Sequence, residues 1–316
     1  MPDPKGRDMS LFLIALKQII ELFLMMGFGY LCRKSGAVDG TARKQLTTVL
    51  MNVVMPCVIL DSFLSEESSS FGSLVFEGIL LLIAIYLISI LASMILIRKN
   101  SETFQIERLS VIFSNAGFLG IPLLSALYGE LGRFCAILAM IAFNVMFWTY
   151  GAFLLTEGKT SLKDTLRQLM TPPLIAVAAA VVMLLLSVRL PSVIAEPVAS
   201  VAAMNSPFAM IVTGITLAES DLTKLFSLRV IIACLHKNII IPIIAGGVFF
   251  AAGLLDEVGI SLLTTAACPT AAMVPMVSIQ YGHDAQIPSG IFTLSTLMSL
   301  ITLPLYVYML SRLASL

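Results

Sequence analysis

The sequence predicts an all-α polytopic membrane protein of ten transmembrane helices, a 5+5 inverted repeat with broken crossover helices in spans 4 and 9. Three observations carry this expectation. Hydrophobic residues make up 58% of the 316 and charged ones 12%, with a mean hydropathy of +0.98, which excludes an ordinary soluble globule. The apolar residues gather in stretches of roughly 20, the length that spans about 30 Å of hydrocarbon at about 1.5 Å per residue. Helix-breaking and amide residues recur inside those stretches at matching places in the two halves.

The stretches lie at 10–32, 45–64, 72–97, 104–128, 133–156, 172–189, 192–218, 226–254, 259–281 and 287–311. Span 1 follows a terminus, Met1–Ser10, with both signs of charge and no small-x-small cleavage pattern, so it reads as a retained span and not a signal peptide. Span 2 carries Asn52 and Pro56 mid-helix. Span 4 contains the run Ser114-Asn-Ala-Gly-Phe-Leu-Gly-Ile-Pro-Leu-Leu124, and span 5 contains Asn144. The most polar interior loop, Glu157–Gln168, divides the chain into halves 1–156 and 157–316. Span 7 carries Asn205 and Pro207, span 8 His236-Lys237-Asn238 with Pro242 beyond, and span 9 Pro269 and Pro275.

Lys and Arg set the orientation. One set of alternate loops holds twelve: Arg33, Lys34, Arg43, Lys44, Arg98, Lys99, Arg108, Lys159, Lys163, Arg167, Lys224 and Arg229. The other side has five (Lys5, Arg7, Arg133, Arg189, Arg312) and the acidic Asp61, Glu66 and Glu67. The cytoplasm is expected to face the twelve, with both termini on the non-cytoplasmic side of the plasma (inner) membrane; an even number of spans agrees. The five cysteines (Cys32, Cys57, Cys135, Cys234, Cys268) lie in apolar segments without metal-like spacing, so they read as packing residues.

Five spans per half is an odd number, so the second half enters the membrane inverted, as in many secondary transporters whose site lies at the repeat interface near the midplane. Span 4 pairs with span 9 in this scheme. Asn115 and Thr270 both fall about halfway along their stretches. Hydrocarbon tolerates an interrupted helix only where protein or a water-filled cavity surrounds it. The second half-helices then direct free N–H groups and positive dipole ends into one cavity, Pro122 fits a first helical turn, and Gly117 and Gly120 let a ligand approach bare backbone. Such a pocket favours anions.

The residues Ser114–Gly129, with their asparagine, Gly-Ile-Pro-Leu-Leu run and closing Tyr-Gly, resemble the fourth-span signature of the auxin efflux carrier family, which includes plant PIN-type exporters and bacterial permeases. Asn52-Val-Val-Met-Pro56, Met204–Leu217, Ala267–Pro275 and Gln280-Tyr-Gly282 extend the resemblance over nearly the whole chain. It implies a scaffold from spans 1, 2, 6 and 7, a transport domain from spans 3–5 and 8–10, a homodimer through the scaffold, elevator-like movement and an anionic organic substrate. Asn115 matches the family's substrate-contacting asparagine, with Ala116 and Gly117 beside it; Asn52 and Pro56 match the scaffold face opposite. Span 9 departs from the pattern: Ala272, Met273, Val274 and Pro275 stand where some relatives carry asparagine, so polar contact from that side falls to Thr270 or to backbone at Ala271. Ser114 replaces the proline of plant members. Bacterial members with a short central loop are associated with carboxylates such as malate and malonate, which joins an auxin-like acid among the expected substrates.

Several polar residues keep two readings. Lys237 either supplies charge to a carboxylate or satisfies carbonyls freed by a break, as buried cations pair with backbone. Glu21 and Lys17, one turn apart, are either a proton-coupling site or a self-neutralising pair. His236 is either a satisfied interior group or a proton relay. Asn144 and Asn205 are expected to hydrogen-bond between helices, or to touch substrate. No H-E-x-x-H, G-x-S-x-G or paired intramembrane aspartate occurs, so an enzyme is not expected, nor a cofactor, a metal or a nucleic-acid partner. The expected partners are the bilayer, the small organic anion and a second copy. Sodium or proton coupling, or an anion-binding sensor, are the alternatives to a simple carrier.

Overall fold

The computed structural model describes residues 4–64, 72–99, 103–156, 170–186, 190–219, 227–281 and 286–315. The Glu157–Gln168 loop and Glu66, Glu67, Arg189, Lys224 and Gly282 lie outside them. All regular elements among the described residues are helical. Seven runs are long and apolar enough to cross a membrane: Asp8–Lys34, Gly40–Asp61, Leu74–Leu96, Ala116–Leu155, Ser192–Glu219, Leu228–Ala251 and Gln286–Ala314. Two shorter apolar helices cover Pro172–Met183 and Glu257–Ala267. Ten spans are expected and seven are found among the described residues: stretch 259–281 is broken at Cys268 into short helices, stretch 172–189 forms one short helix, and Ala116–Leu155 joins two stretches across a bend at Gly129, whose φ of 59° suits glycine alone among common residues.

The chain forms two compact units. One holds the start of α1 (Pro4–Lys34) up to Ile20, then α4 (Gly72–Leu96) from Glu77, α5 (Phe104–Ile112), α6 (Ile121–Met146) and α7 (Ala152–Leu155), and after them α11 (Leu228–Leu235), α12 (Ile241–Ala251), α13 (Glu257–Ala267), α14 (Met273–Gln280) and α15 (Gln286–Ala314). Its core gathers around Phe113, which is fully buried and meets the rings of Tyr86, Phe143 and Phe147 with centroids 6.0, 5.7 and 5.0 Å away. Arg108, buried in this unit, donates to the carbonyls of Met94 and Ile97 at the end of α4, which satisfies acceptors that a helix terminus leaves over. Asp8 meets Arg312 at 3.2 Å, tying α1 to α15.

The other unit holds α1 from Glu21, α2 (Gly40–Val49), α3 (Met55–Leu64), α8 (Pro172–Leu185), α9 (Ser192–Ala203) and α10 (Asn205–Glu219). Here α1 and α10 touch backbone to backbone: a Cβ at Gly29 would run into the Ile211 carbonyl, and one at Gly214 into that of Met26. Small residues allow such close crossings, where dispersion and not the hydrophobic effect drives helix association. Glu219 ends α10 between Arg33 at 3.0 Å and Arg43 at 2.7 Å.

Prolines shape three helices in a common way. Five-residue π-helical segments at Leu50–Val54, Ala116–Gly120 and His236–Ile240 each precede, by two residues, Pro56, Pro122 or Pro242. A proline inside a helix removes one N–H and presses its ring on the carbonyl four residues back; widening the turn relieves both. Pro122 therefore does not open its half-helix. That helix begins six residues earlier, at Ala116.

Candidate functional site

Two helix breaks meet in the first unit. α5 ends at Ile112, Phe113 is extended (φ −94°, ψ 116°), and a helix resumes at Ala116 after Asn115 (φ −78°, ψ 57°). α13 ends at Ala267, Cys268 is extended (φ −56°, ψ 150°), and α14 starts at Met273. The two interruptions pair as a single antiparallel bridge between Ser114 and Thr270. Asn115 donates its N–H to the Pro269 carbonyl at 2.8 Å, and Ala271 donates its own to the Phe113 carbonyl at 3.0 Å. Pairing one break with the other disposes of backbone groups that hydrocarbon would leave unsatisfied.

The side chains repeat this reciprocity. The Ser114 hydroxyl donates to the Ala266 carbonyl at 2.8 Å, and the Thr270 hydroxyl to the Ser110 carbonyl at 2.9 Å. Every partner is matched at one offset, 110 to 266, 113 to 269, 114 to 270 and 115 to 271, which is 156 residues. A local two-fold relation thus links the breaks.

Chemistry breaks that symmetry. Asn115 is 5% exposed, and its Nδ2 has no hydrogen-bond partner among the described residues; its counterpart is Ala271, which has no polar group. The Asn115 side chain makes no cap on the helix it precedes, and the first amides of that helix, Gly117 and Phe118, have no earlier helical carbonyl to use. The Asn115 amide, without a partner among the described residues, therefore stands at the N-terminal end of the Ala116 helix. Thr270 is fully buried, with its hydroxyl on Ser110 and its N–H on Ser295 Oγ at 3.2 Å, so both its donors are committed to holding the break. A side chain at Gly120 would meet only ordinary contacts, Ala116 Cβ and Cys268 Sγ at 3.7 Å.

Lys237 reaches the same place from the π-helical segment after α11. It is 1% exposed and donates to Ser114 Oγ and, at 3.2 Å, to the Ala266 carbonyl. This is the carbonyl-satisfying arrangement. Asn238 beside it donates to the Ser295 carbonyl at 2.8 Å. A small cavity lined by Tyr86, Ser89, Ser114, Ala116, Thr265 and Ala266, among others, gives a water's centre about 20 Å³ to occupy. That is room for about one water and none for a dicarboxylate, and Asn115 is not among the residues lining it, so this cavity is not itself an anion pocket.

Other residues singled out from sequence fall elsewhere. Asn144 is buried but donates to Met140 on its own helix at 2.9 Å, with Oδ1 unpaired among the described residues, so the expected interhelical bond is not the one it makes. Asn205 is buried at the start of α10, with neither amide atom partnered among the described residues; an interhelical bond is not formed there either. Asn52 is exposed, Pro56 half-buried and Pro207 exposed, all in the second unit. Pro275 lies in the first turn of α14. Lys17 and Glu21 are exposed on α1, and His236 is buried with Nδ1 unpartnered among the described residues. Sequence reasoning missed Ser110, Ala266 and Ser295. Aligning the halves at 156 residues would have found the first two.

A multi-pass helical chain with two interrupted helices bound to each other inside it is built as a membrane transporter. It belongs to the membrane transport protein family, the auxin efflux carriers, whose profile matches residues 14–165 and 158–307. It is similar to an uncharacterized transporter of Methanothermobacter thermautotrophicus, 25% identical over 313 residues, covering 94% of this chain and 98% of that one. An uncharacterized transporter of Methanocaldococcus jannaschii is 23% identical over 317 residues, covering 94% and 99%.

Proposed function

We propose that the protein is a secondary carrier of a small organic anion, a mono- or dicarboxylate such as malate or malonate or an auxin-like acid, bound at the paired breaks. The observation that carries this reading is the buried Nδ2 of Asn115, without a partner among the described residues, beside the first amides of the Ala116 helix. Donors without acceptors at a positive helix end are suited to a carboxylate. Lys237 lies one residue from Asn115 through Ser114 and adds positive charge to the same place.

The reading extends to ten spans in two inverted repeats, with elevator-like movement of the unit that carries the breaks. Its support is the constant 156-residue offset of the paired contacts and the separation of the chain into a unit with most of α4, α5–α7, α11–α15 and the start of α1, and a unit with the rest of α1, α2, α3 and α8–α10. Assembly as a homodimer through the second unit, and both termini on the non-cytoplasmic face of the inner membrane, complete it.

Flux through proteoliposomes tests the assignment. Wild type is expected to show saturable carboxylate flux and Asn115→Ala to lose it while still purifying as folded protein. Unchanged flux in the variant would remove the site from the breaks, and binding without flux in wild type would make the protein a sensor.

A further inference from the structure

We infer that the ammonium of Lys237 is a built-in cation: it occupies the place at the paired breaks where a broken-helix carrier holds a monovalent metal ion. The breaks are thereby assembled without sodium, and shortening this side chain converts the place into a sodium site.

The argument begins with the Ala266 carbonyl. In an unbroken helix it would accept from the amide of residue 270, but Thr270 donates to Ser295 Oγ instead. The carbonyl is left at the C-terminal, negative end of α13. Carbonyls freed by unwinding and the C-terminal ends of half-helices are the ligands with which broken membrane helices hold sodium. Here they hold Lys237, through Ala266 O and Ser114 Oγ. Both acceptors are neutral oxygens, as a sodium ion's ligands would be.

Two further features bear on the exchange. Ser114 and Ala266 also line the cavity that admits about one water, so a smaller cation in place of the ammonium gains a water ligand beside the two protein oxygens. At the 156-residue offset the counterpart of Lys237 is Leu81, so the arrangement is built once in the chain. A buried cation removed without replacement leaves, among the described residues, only the Ser114 hydroxyl on the Ala266 carbonyl and the negative helix end short of charge, which is costly in a medium of low dielectric.

The experiment needs no carboxylate, so its outcome is separate from that of the transport assignment. Thermal unfolding of the purified protein is followed in sodium chloride, choline chloride and ethylammonium chloride at equal ionic strength. Wild type is expected to unfold at the same temperature in all three. Lys237→Ala is expected to unfold lower in choline and to regain at least roughly 2 °C in sodium and in ethylammonium, the latter restoring the deleted ammonium. Should the alanine variant not fold, Lys237→Gln is compared in sodium and choline, with the same sodium-specific gain expected. A sodium-specific rise in wild type, or a variant indifferent to the added cation, would overturn the inference.

Discussion

Asn115 and Ala271 hold equivalent places in the two breaks, yet one has an amide and the other a methyl group. The paired breaks are therefore chemically one-sided, and the proposed anion site rests on a few atoms on the Asn115 side. Thr270 illustrates the division of labour: its hydroxyl closes the Ser110 carbonyl and is not available to a ligand. Thr270→Val keeps the shape and removes that bond, leaving a buried acceptor unpaired, so it is expected to lower stability by about 1–3 kcal/mol while leaving the donors at Asn115 in place. Denaturant or thermal unfolding measures the loss, and carboxylate binding by the folded variant checks the second part. At this scale the sequence showed the asparagine because it sits in a glycine- and proline-broken run at mid-depth in an apolar stretch, where an interruption needs protein or a cavity around it. It did not show that Thr270 is consumed by the fold, since a hydroxyl's partner 160 residues away along the chain leaves no local trace. Asn144 departs from expectation in the opposite direction: its partner is the carbonyl four residues back on its own helix.

Among the elements, proline and glycine do different work. Prolines 56, 122 and 242 each follow a widened turn, and the prolines were legible while the π-helical segments before them were not. Nothing in the residue pattern distinguishes a widened turn from a kink. Gly29 and Gly214 let α1 and α10 meet at the backbone, a contact between helices far apart in sequence that no periodicity announces. Gly214→Val is expected to destabilise the protein by about 1–3 kcal/mol through overpacking, with no effect on the chemistry of Asn115. Thermal unfolding of the variant at an unchanged temperature would show that the crossing is looser than described.

Over the whole molecule, composition alone established a membrane-spanning helical chain, and the recurrence of breakers in spans 4 and 9 foretold where two helices stop. The antiparallel bridge between those stops was not legible, because backbone pairing across the molecule depends on the register of two distant segments. On the inference that Lys237 stands in for sodium, the membrane potential alone suffices as a driving force: a monoanion leaving a negative interior gains about 2.3 kcal/mol per 100 mV. In vesicles with an imposed potential, efflux of a monocarboxylate is expected to quicken as the interior becomes more negative, in choline as in sodium. Efflux that ignores the potential, or that stops without sodium, would point to a coupled ion.

The most direct test of the central claim is thermal stabilisation of the purified protein by a panel of mono- and dicarboxylates, measured for wild type and Asn115→Ala. A ligand at 100 times its Kd adds about 2.7 kcal/mol to a reversibly unfolding native state. The account predicts that at least one carboxylate raises the wild-type unfolding temperature and that Asn115→Ala, itself folded, loses the shift. An equal shift in wild type and variant would place the anion away from the paired breaks and contradict it.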